Sequence, residues 1–533
     1  MKLCYHLFTF LTLLYTLPSF AQDEVRLVTE LGPGAENGFS DEAEIIGTIE
    51  NSIVISDNGN IIISNGFETG TKIIGEMGTN GRILHARTTL DGKLYFLLQN
   101  SELDYSLAEV DPELQEMRFV ISNYEYISNL IAFQGALYMS VEDPDSDEYF
   151  AKANPQSGEV AKVFDINSFG GMRDIVVHND MMYTIHWSAD KDGAYLASND
   201  GTPGSLNEFY FFYDGSDFST TGTINMTSAG NNIYMWYNNG DDDYVLFVSD
   251  GSESGTLELE DSFERINFYD YDANRAIGTI GNNIFFLADI EGDFKDYLWM
   301  SDGTVAGTQQ IEFEDLAVDP RFFTNYNGLL YFRGVHTSGG FSDLAGLMVT
   351  DGTAAGTEIA WDVNDHPELQ FNSAWHLIEH NNLMYFDGNS STNGSELFVS
   401  DGTLANTTRL SDISPGDADG FTYNYRSAGD NLFFFGSTPE SGIELYVYGP
   451  GPSSVSEVNL NISINPNPAH NSINLQGKDF NGNETRITDM SGKLIKTTLI
   501  ESNQINVSDL LPGNYMLHIQ ADKQLHTTKF IKL

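Results

Sequence analysis

The sequence predicts an all-β chain: a single large β-propeller of eight or nine four-stranded blades, followed by a small β-sandwich. Three observations carry this prediction. A phrase centred on Ser-Asp-Gly-Thr returns at near-constant spacing. A second phrase, a Gly or Asn turn followed by an aliphatic and aromatic run, returns between its copies. The composition also changes near residue 458. The glycines that follow the acid, Gly201, Gly251, Gly303, Gly352 and Gly402, are separated by 50, 52, 49 and 50 residues. A fixed period of this size is the mark of a repeat architecture.

The first element is residues 1–21, "MKLCYHLFTFLTLLYTLPSFA". Lys2, an apolar run through Leu14, and small residues at Ser19 and Ala21 form the pattern of a secretory signal peptide, with cleavage expected after Ala21. The run is too short to span a bilayer, and no later window approaches the ~20 apolar residues a spanning helix needs. The only cysteine, Cys4, lies in this segment. The processed chain is therefore expected to have no disulfide, no Cys-ligated zinc and no thiol nucleophile.

Residues 22–449 hold the repeats. Copies of the first phrase include "LFVSDGSESGT" from Leu246, "LWMSDGTVAGT" from Leu298, "LMVTDGTAAGT" from Leu347 and "LFVSDGTLANT" from Leu397, with a worn copy, "IIISNGFETGT", from Ile61. The second phrase reads "GNNIYMW" from Gly230, "GNNIFFL" from Gly281, "NGLLYFR" from Asn327, "NNLMYFD" from Asn381 and "GDNLFFF" from Gly429. A tight turn before an alternating or continuous apolar run is a hairpin followed by a buried strand. With the residues before that turn as strand A and the run after it as strand B, the Asp-Gly phrase joins strands C and D. Four short strands per period of about fifty residues is a propeller blade.

In the C-to-D turn, glycine supplies positive φ and the Asp and Thr side chains bond to nearby backbone, so Asp250, Gly251, Asp302, Gly303, Asp351, Gly352, Asp401 and Gly402 are read as structural corner residues. Strand-B phrases number nine, and misreading one of the weak early units would make the ring eight-bladed. The last unit lacks a strand D before "GPGPSS". "RLVTELGPGAENGF" from Arg26 matches "RLSDISPGDADGF" from Arg409, so Val25 to Leu31 is expected to be the missing outer strand.

These repeats resemble the bacterial ELWxxDGT-repeat proteins. The best local matches are Glu396-Leu397-Phe398-Val399-Ser400-Asp401-Gly402-Thr403 and Leu298-Trp299-Met300-Ser301-Asp302-Gly303-Thr304. The resemblance is clear over 190–410 and thin over 76–185. It implies an exported chain and no particular activity.

After a linker at 450–458, residues 459–533 read as short alternating strands separated by Asn-Pro, Ser-Gly and Pro-Gly turns, which predicts a small antiparallel sandwich. The segment resembles the type A C-terminal sorting domain of the type IX secretion system. The likeness rests on Asn465-Pro466-Asn467-Pro468, the Asp489-Met490-Ser491-Gly492-Lys493 turn, the Leu511-Pro512-Gly513-Asn514-Tyr515 turn and a Lys-ended final strand. It implies that the type IX machinery is a partner through this domain, and that the chain is secreted or attached to the outer cell surface.

Charge separates the two parts. Residues 458–533 carry seven Lys or Arg against six Asp or Glu, a net of +1. Removing that and Lys2 from the chain's −52 leaves −54 for residues 3–457. A body this anionic repels phosphate, which excludes nucleic acid and anionic lipid as partners.

No Gly-x-Ser-x-Gly elbow, His-Glu-x-x-His pair or phosphate-cradling loop is present, and no catalytic residue is assigned. His186, His336, His376 and His380 would meet only through folding. The B-to-C loops are rich in acids and amides and emerge on one face of a propeller. Among them Asp143, Asp145 and Asp147 have the alternate spacing that lets three carboxylates converge on calcium, although the Gly and bidentate Glu of a full calcium loop are absent. Calcium is thus the one candidate cofactor. The tryptophans Trp187, Trp236, Trp299, Trp361 and Trp375 would suit sugar stacking where exposed. The reading reached is a binding module for an extracellular glycan or protein. The alternative is a hydrolase or lyase acting on extracellular polysaccharide.

Overall fold

The computed structural model describes residues 23–29, 38–77, 81–100, 104–142, 148–166, 171–188, 191, 193–213, 225–238, 244–267, 277–289, 297–311, 320–336, 344–362, 366, 369, 374–390, 392–439, 441–450, 463–476, 480–481, 483–489, 494–500, 502–521 and 524–533. The signal segment and nearly all of the linker lie outside them. The chain divides into two compact units, one of residues 24–449 and one holding 450–533.

The larger unit contains nine antiparallel sheets among the described residues, which we number as blades 1 to 9. Blade 1 covers 44–76, blade 2 82–124, blade 3 126–165, blade 4 172–213 and blade 5 225–263; blade 6 covers 265–310, blade 7 321–362 and blade 8 375–409. In blade 9, Tyr423–Ala428, Asn431–Thr438 and Gly442–Pro450 are joined by Asp23–Thr29 as the outer strand. Of the eight or nine blades the sequence allowed, the structure has nine. In blade 6 the innermost position is filled by two pieces, Arg265–Asn267 and Ile277–Ile280, both paired with Asn283–Asp289.

Strand B is apolar on both faces because each face meets a different blade. In blade 8, Met384 and Phe386 pack toward blade 7 with Leu347 and Trp361, while Tyr385 packs toward blade 9 with Leu432 and Phe434. The same arrangement places one core between each pair of successive blades, and the series returns on itself. Ile45, Ile53 and Ile55 of blade 1 share a core with Phe433, Phe435, Leu445 and Val447 of blade 9. That shared core closes the ring.

Several inner strands bulge near their starts. The register slips between Ser128 and Ile131, Arg321 and Thr324, Trp375 and Ile378, and Tyr423 and Arg426. One residue in each bulge is left-handed: Asn129, Phe322, His376 and Asn424, with φ of 56°, 61°, 57° and 57°. Asn tolerates that conformation; Phe and His are strained there.

The C-terminal unit is a two-sheet sandwich. A three-stranded sheet of Ser463–Asn465, Ser472–Gln476 and Gln504–Asn506 and a four-stranded sheet ordered Leu494–Leu499, Glu484–Asp489, Gly513–Ala521, Gln524–Lys532 enclose one core. Ile473, Leu475, Ile487, Ile505, Leu517 and Phe530 are its centre.

Candidate functional site

The recurring turn and the singular chemistry lie on opposite faces of the ring. In blade 8 the Gly402 N–H donates to Ser400 Oγ at 3.0 Å, and Ser400 Oγ lies 2.8 Å from Thr407 Oγ1. Thr403 donates to Asp401 Oδ1 through its N–H at 3.0 Å and its hydroxyl at 2.6 Å, and the Thr407 hydroxyl donates to Thr403 O at 2.8 Å. The hydroxyl pair returns as Ser249–Thr256, Ser301–Thr308 and Thr350–Thr357. In blades 5 to 7 the second glycine of the phrase, Gly255, Gly307 or Gly356, leaves the space for the Asp carboxylate that a Cβ would fill.

The first glycine looks outward to the preceding blade. Gly201, Gly251 and Gly402 lie against the hydroxyls of Tyr138, Tyr183 and Tyr331, and a Cβ would stand 2.3, 2.3 and 2.6 Å from them. Tyr234 donates to Asn282 O at 2.9 Å and to Ser301 O at 3.4 Å. Burial, and then the charge of Asp250, raises the Tyr183 hydroxyl pKa. The repeated residues therefore brace blade to blade. Asp250, Asp302, Asp351 and Asp401 are all hydrogen-bonded within their own turns.

On the other face, where strand B passes to strand C and each blade passes to the next, blades 8 and 9 form an open-mouthed cavity of about 560 Å³. Trp375 and His376 enter it from the first strand of blade 8, Asp387 and Asn389 from the second, and Ser395 from the third. Phe421 and Thr422 from the connection into blade 9, and Tyr423 from the start of that blade's first strand, complete its wall. Phe421 is 55% exposed and left-handed at φ 32°.

The fifth residue of strand B shows what is unusual here. Counting around the ring it is Ser56, Leu97, Ser140, Ile185, Trp236, Leu287, Arg333, Asp387 and Phe435. Charge occurs only in the adjacent blades 7 and 8. Arg333 is buried, with its guanidinium 4.3 Å above the Trp375 ring, a cation–π contact. Asp387 accepts from the Ser395 hydroxyl on Oδ1, and from the N–H and hydroxyl of Thr422 on Oδ2 at 3.0 and 3.1 Å. Burial pushes its carboxyl up to about 6, against the pull of those donors. Next along, Glu396 is fully buried and accepts from the Ser411 hydroxyl and from the N–H groups of Ile413 and Ser414, both at 2.9 Å. Burial raises its pKa as well. His376 is driven down to about 4 by burial and then by the charge of Arg426, so it is neutral at pH 7.

Asp387 gives a signed pH prediction. Its folded pKa, about 6, lies above the ordinary aspartate value of 3.8, so its contribution to stability grows as pH falls from neutrality and is lost as pH rises through 6. Between pH 7.5 and pH 5 that gain is about 1.4 kcal/mol. Asp387→Asn keeps the shape and can still satisfy Ser395 and Thr422. It should lower the gain, read from denaturant midpoints at the two pH values, by that amount. Asp174, whose carboxyl desolvation also raises to about 6, acts with the same sign in both proteins and cancels from the comparison.

The sequence-predicted residues fare differently. Asp143, Asp145 and Asp147 lie outside the described residues, and among the described residues no group of three His, Cys, Asp or Glu is placed to hold a metal. Among the described residues, no helix is long and apolar enough to cross a membrane. Of the tryptophans, Trp236, Trp299 and Trp361 are buried between blades and Trp187 is also buried, while half-buried Trp375 lines the cavity. His186, bonded to Glu208 at 3.1 Å, sits in blade 4, away from His376 and His380. His380 bridges to Ser427 of blade 9 at 2.8 Å. Arg333, Asp387, Asn389 and Phe421 were missed. The signal that would have found them is departure from the repeat: one aligned column of strand B turns charged in two neighbouring units.

Solved structures with similar chain paths share little sequence with this protein. A study of PorZ, described as an essential bacterial surface component of the type-IX secretion system of Porphyromonas gingivalis, gives 11% identity over 91% of this chain and 80% of that one, with a TM-score of 0.25. The β-propeller domain of the Trilobed protease from Pyrococcus furiosus gives 12% identity over 62% and 98%, with a TM-score of 0.33. A prolyl endopeptidase gives 11% over 67% and 54%, with a TM-score of 0.38. No curated protein matches the chain. Residues 463–533, which fold as the sandwich, match the family model of the secretion system C-terminal sorting domain.

Proposed function

We propose that this chain is a binding module exported by the type IX secretion system and retained at the outer cell surface or released, with the face that bears the B-to-C loops as its ligand face. The observation that carries the binding reading is the contrast between the two faces. The Asp-Gly turns repeat around one rim and brace the ring, whereas the cavity of blades 8 and 9 on the other rim is lined by Asp387, at a strand-B position that is charged only in blades 7 and 8. The sorting domain supports the export reading. The ELWxxDGT likeness fits the bracing role found for Asp401, Gly402 and Thr403. The net charge of −54 on the body keeps nucleic acid out of consideration.

Hydrolysis by a carboxylate pair is less well supported. Glu396 directs both oxygens at the protein's own donors, and Asp387 is likewise occupied by Ser395 and Thr422. Neither carboxylate is left to attack or to activate water.

Export is tested by placing a tagged chain in a bacterium that has the type IX system. The full chain should be found outside the cell, and a chain ending at residue 458 should be retained in the periplasm. A truncated chain that reaches the surface as efficiently as the full one contradicts the role given to the sorting domain.

A further inference from the structure

We infer that the cavity between blades 8 and 9 is a binding site for a neutral saccharide, held by Trp375, Phe421 and Tyr423 against its ring faces and by Asn389 and Ser395 against its hydroxyls. This rests on the binding-module reading and names its ligand.

Size, lining, charge and strain converge on this class. A cavity of about 560 Å³ lies inside the ~300–1,000 Å³ range of small-molecule sites and admits a sugar unit or two. Its lining combines flat aromatic rings with hydroxyl, amide and carboxyl groups. The negative face of an aromatic ring suits the weakly positive C–H face of a pyranose, and the polar groups suit the hydroxyls at its rim.

Charge narrows the class further. The charged groups close to the site are two guanidiniums, Arg333 and Arg426, and three carboxyls, Asp387, Glu396 and Asp419, the last accepting from the Ser395 N–H at 3.0 Å. Arg333 lies over Trp375, and Arg426 donates to Tyr425 O at 2.9 Å. Asp387 and Glu396 accept from Ser395, Thr422, Ser411, Ile413 and Ser414. Three carboxyls against two guanidiniums leave no excess positive charge with which to hold an acidic ligand. The anionic field of the whole body adds a penalty for acidic sugars.

Strain marks the same place. Phe421 is left-handed without being glycine, at φ 32°, and lies outside the inner-strand bulges in which His376 and Asn424 share that conformation with Asn129 and Phe322 of blades 3 and 7. Such conformations persist where surroundings over-determine them, and they gather at ligand sites. Phe421 combines this strain with an aromatic ring more than half exposed at the cavity mouth. Packing of the ring interior does not require an exposed phenyl group there.

The test presents the full secreted chain to an array of neutral hexoses, N-acetylhexosamines and their disaccharides, and then titrates the best of them in solution. Binding of a neutral sugar is expected. Phe421→Ala should weaken it about tenfold while the melting temperature is unchanged. Trp375 also packs on Phe322 and His376, so Asn389→Ala serves as the second variant, with a loss of similar size. Both variants binding like the parent would overturn the site. Absence of any neutral-sugar binding, with the chain still binding a purified extracellular protein, would overturn the saccharide assignment and leave the binding-module reading. Binding to neither would remove both.

Discussion

Glu396→Ala is expected to lower the unfolding free energy of the larger unit by about 3–5 kcal/mol. Glu396 is 0% exposed, and its two oxygens hold the Ser411 hydroxyl and the N–H groups of Ile413 and Ser414. These groups belong to the connection that leads from blade 8 to Thr422 and the cavity. Alanine leaves three donors without an acceptor and a void where the carboxylate stood. Glu396→Gln keeps one carbonyl acceptor, so its loss should be smaller. Guanidinium midpoints of the three proteins at pH 7 check the order. Equal midpoints for parent and alanine variant would show that water replaces the carboxylate at no cost.

Gly251→Ala should cost about 2–4 kcal/mol, from left-handed strain together with displacement of the neighbouring tyrosine. Gly251 stands at φ 91°, and a Cβ there would sit 2.3 Å from the Tyr183 hydroxyl of blade 4. Gly281 provides the control. It also has positive φ, 60°, but its Cβ would meet nothing within 4 Å. Gly281→Ala should therefore lose only the strain, about 1–2 kcal/mol. The difference between the two variants measures the contact between blades. Equal losses would mean that the turn matters only within its own blade.

The all-β fold was legible because strand B must be apolar on both faces, and runs such as "NNLMYFD" and "GNNIFFL" write that requirement openly. The blade number was harder. A unit such as "NSIVISD" has lost the Gly and aromatic residues that sharpen the phrase, yet Ile53 and Ile55 still fill the same positions between blades as Leu137 and Met139 do. The Asp-Gly turn could be read as a corner, but its contact with the tyrosine of the preceding blade could not. Tyr183 and Gly251 are 68 residues apart, and nothing local links them.

The cavity was the least legible part, because attention to recurrence hides what does not recur. Glu396 reads as one letter of a repeated phrase, yet the other blades place Val245, Tyr297 and Gly346 there, and only Glu444 of blade 9 repeats it. Trp375 could not be told from four other tryptophans until folding buried them.

The central claim is that one non-repeating site works within a repeating scaffold. Calorimetric titration of the full chain with the best neutral sugar from the array tests it through stoichiometry. One sugar per chain, with affinity reduced by Phe421→Ala, is the predicted result. Several equivalent sugars per chain, unaffected by that substitution, would place recognition on the repeated turns and contradict the account.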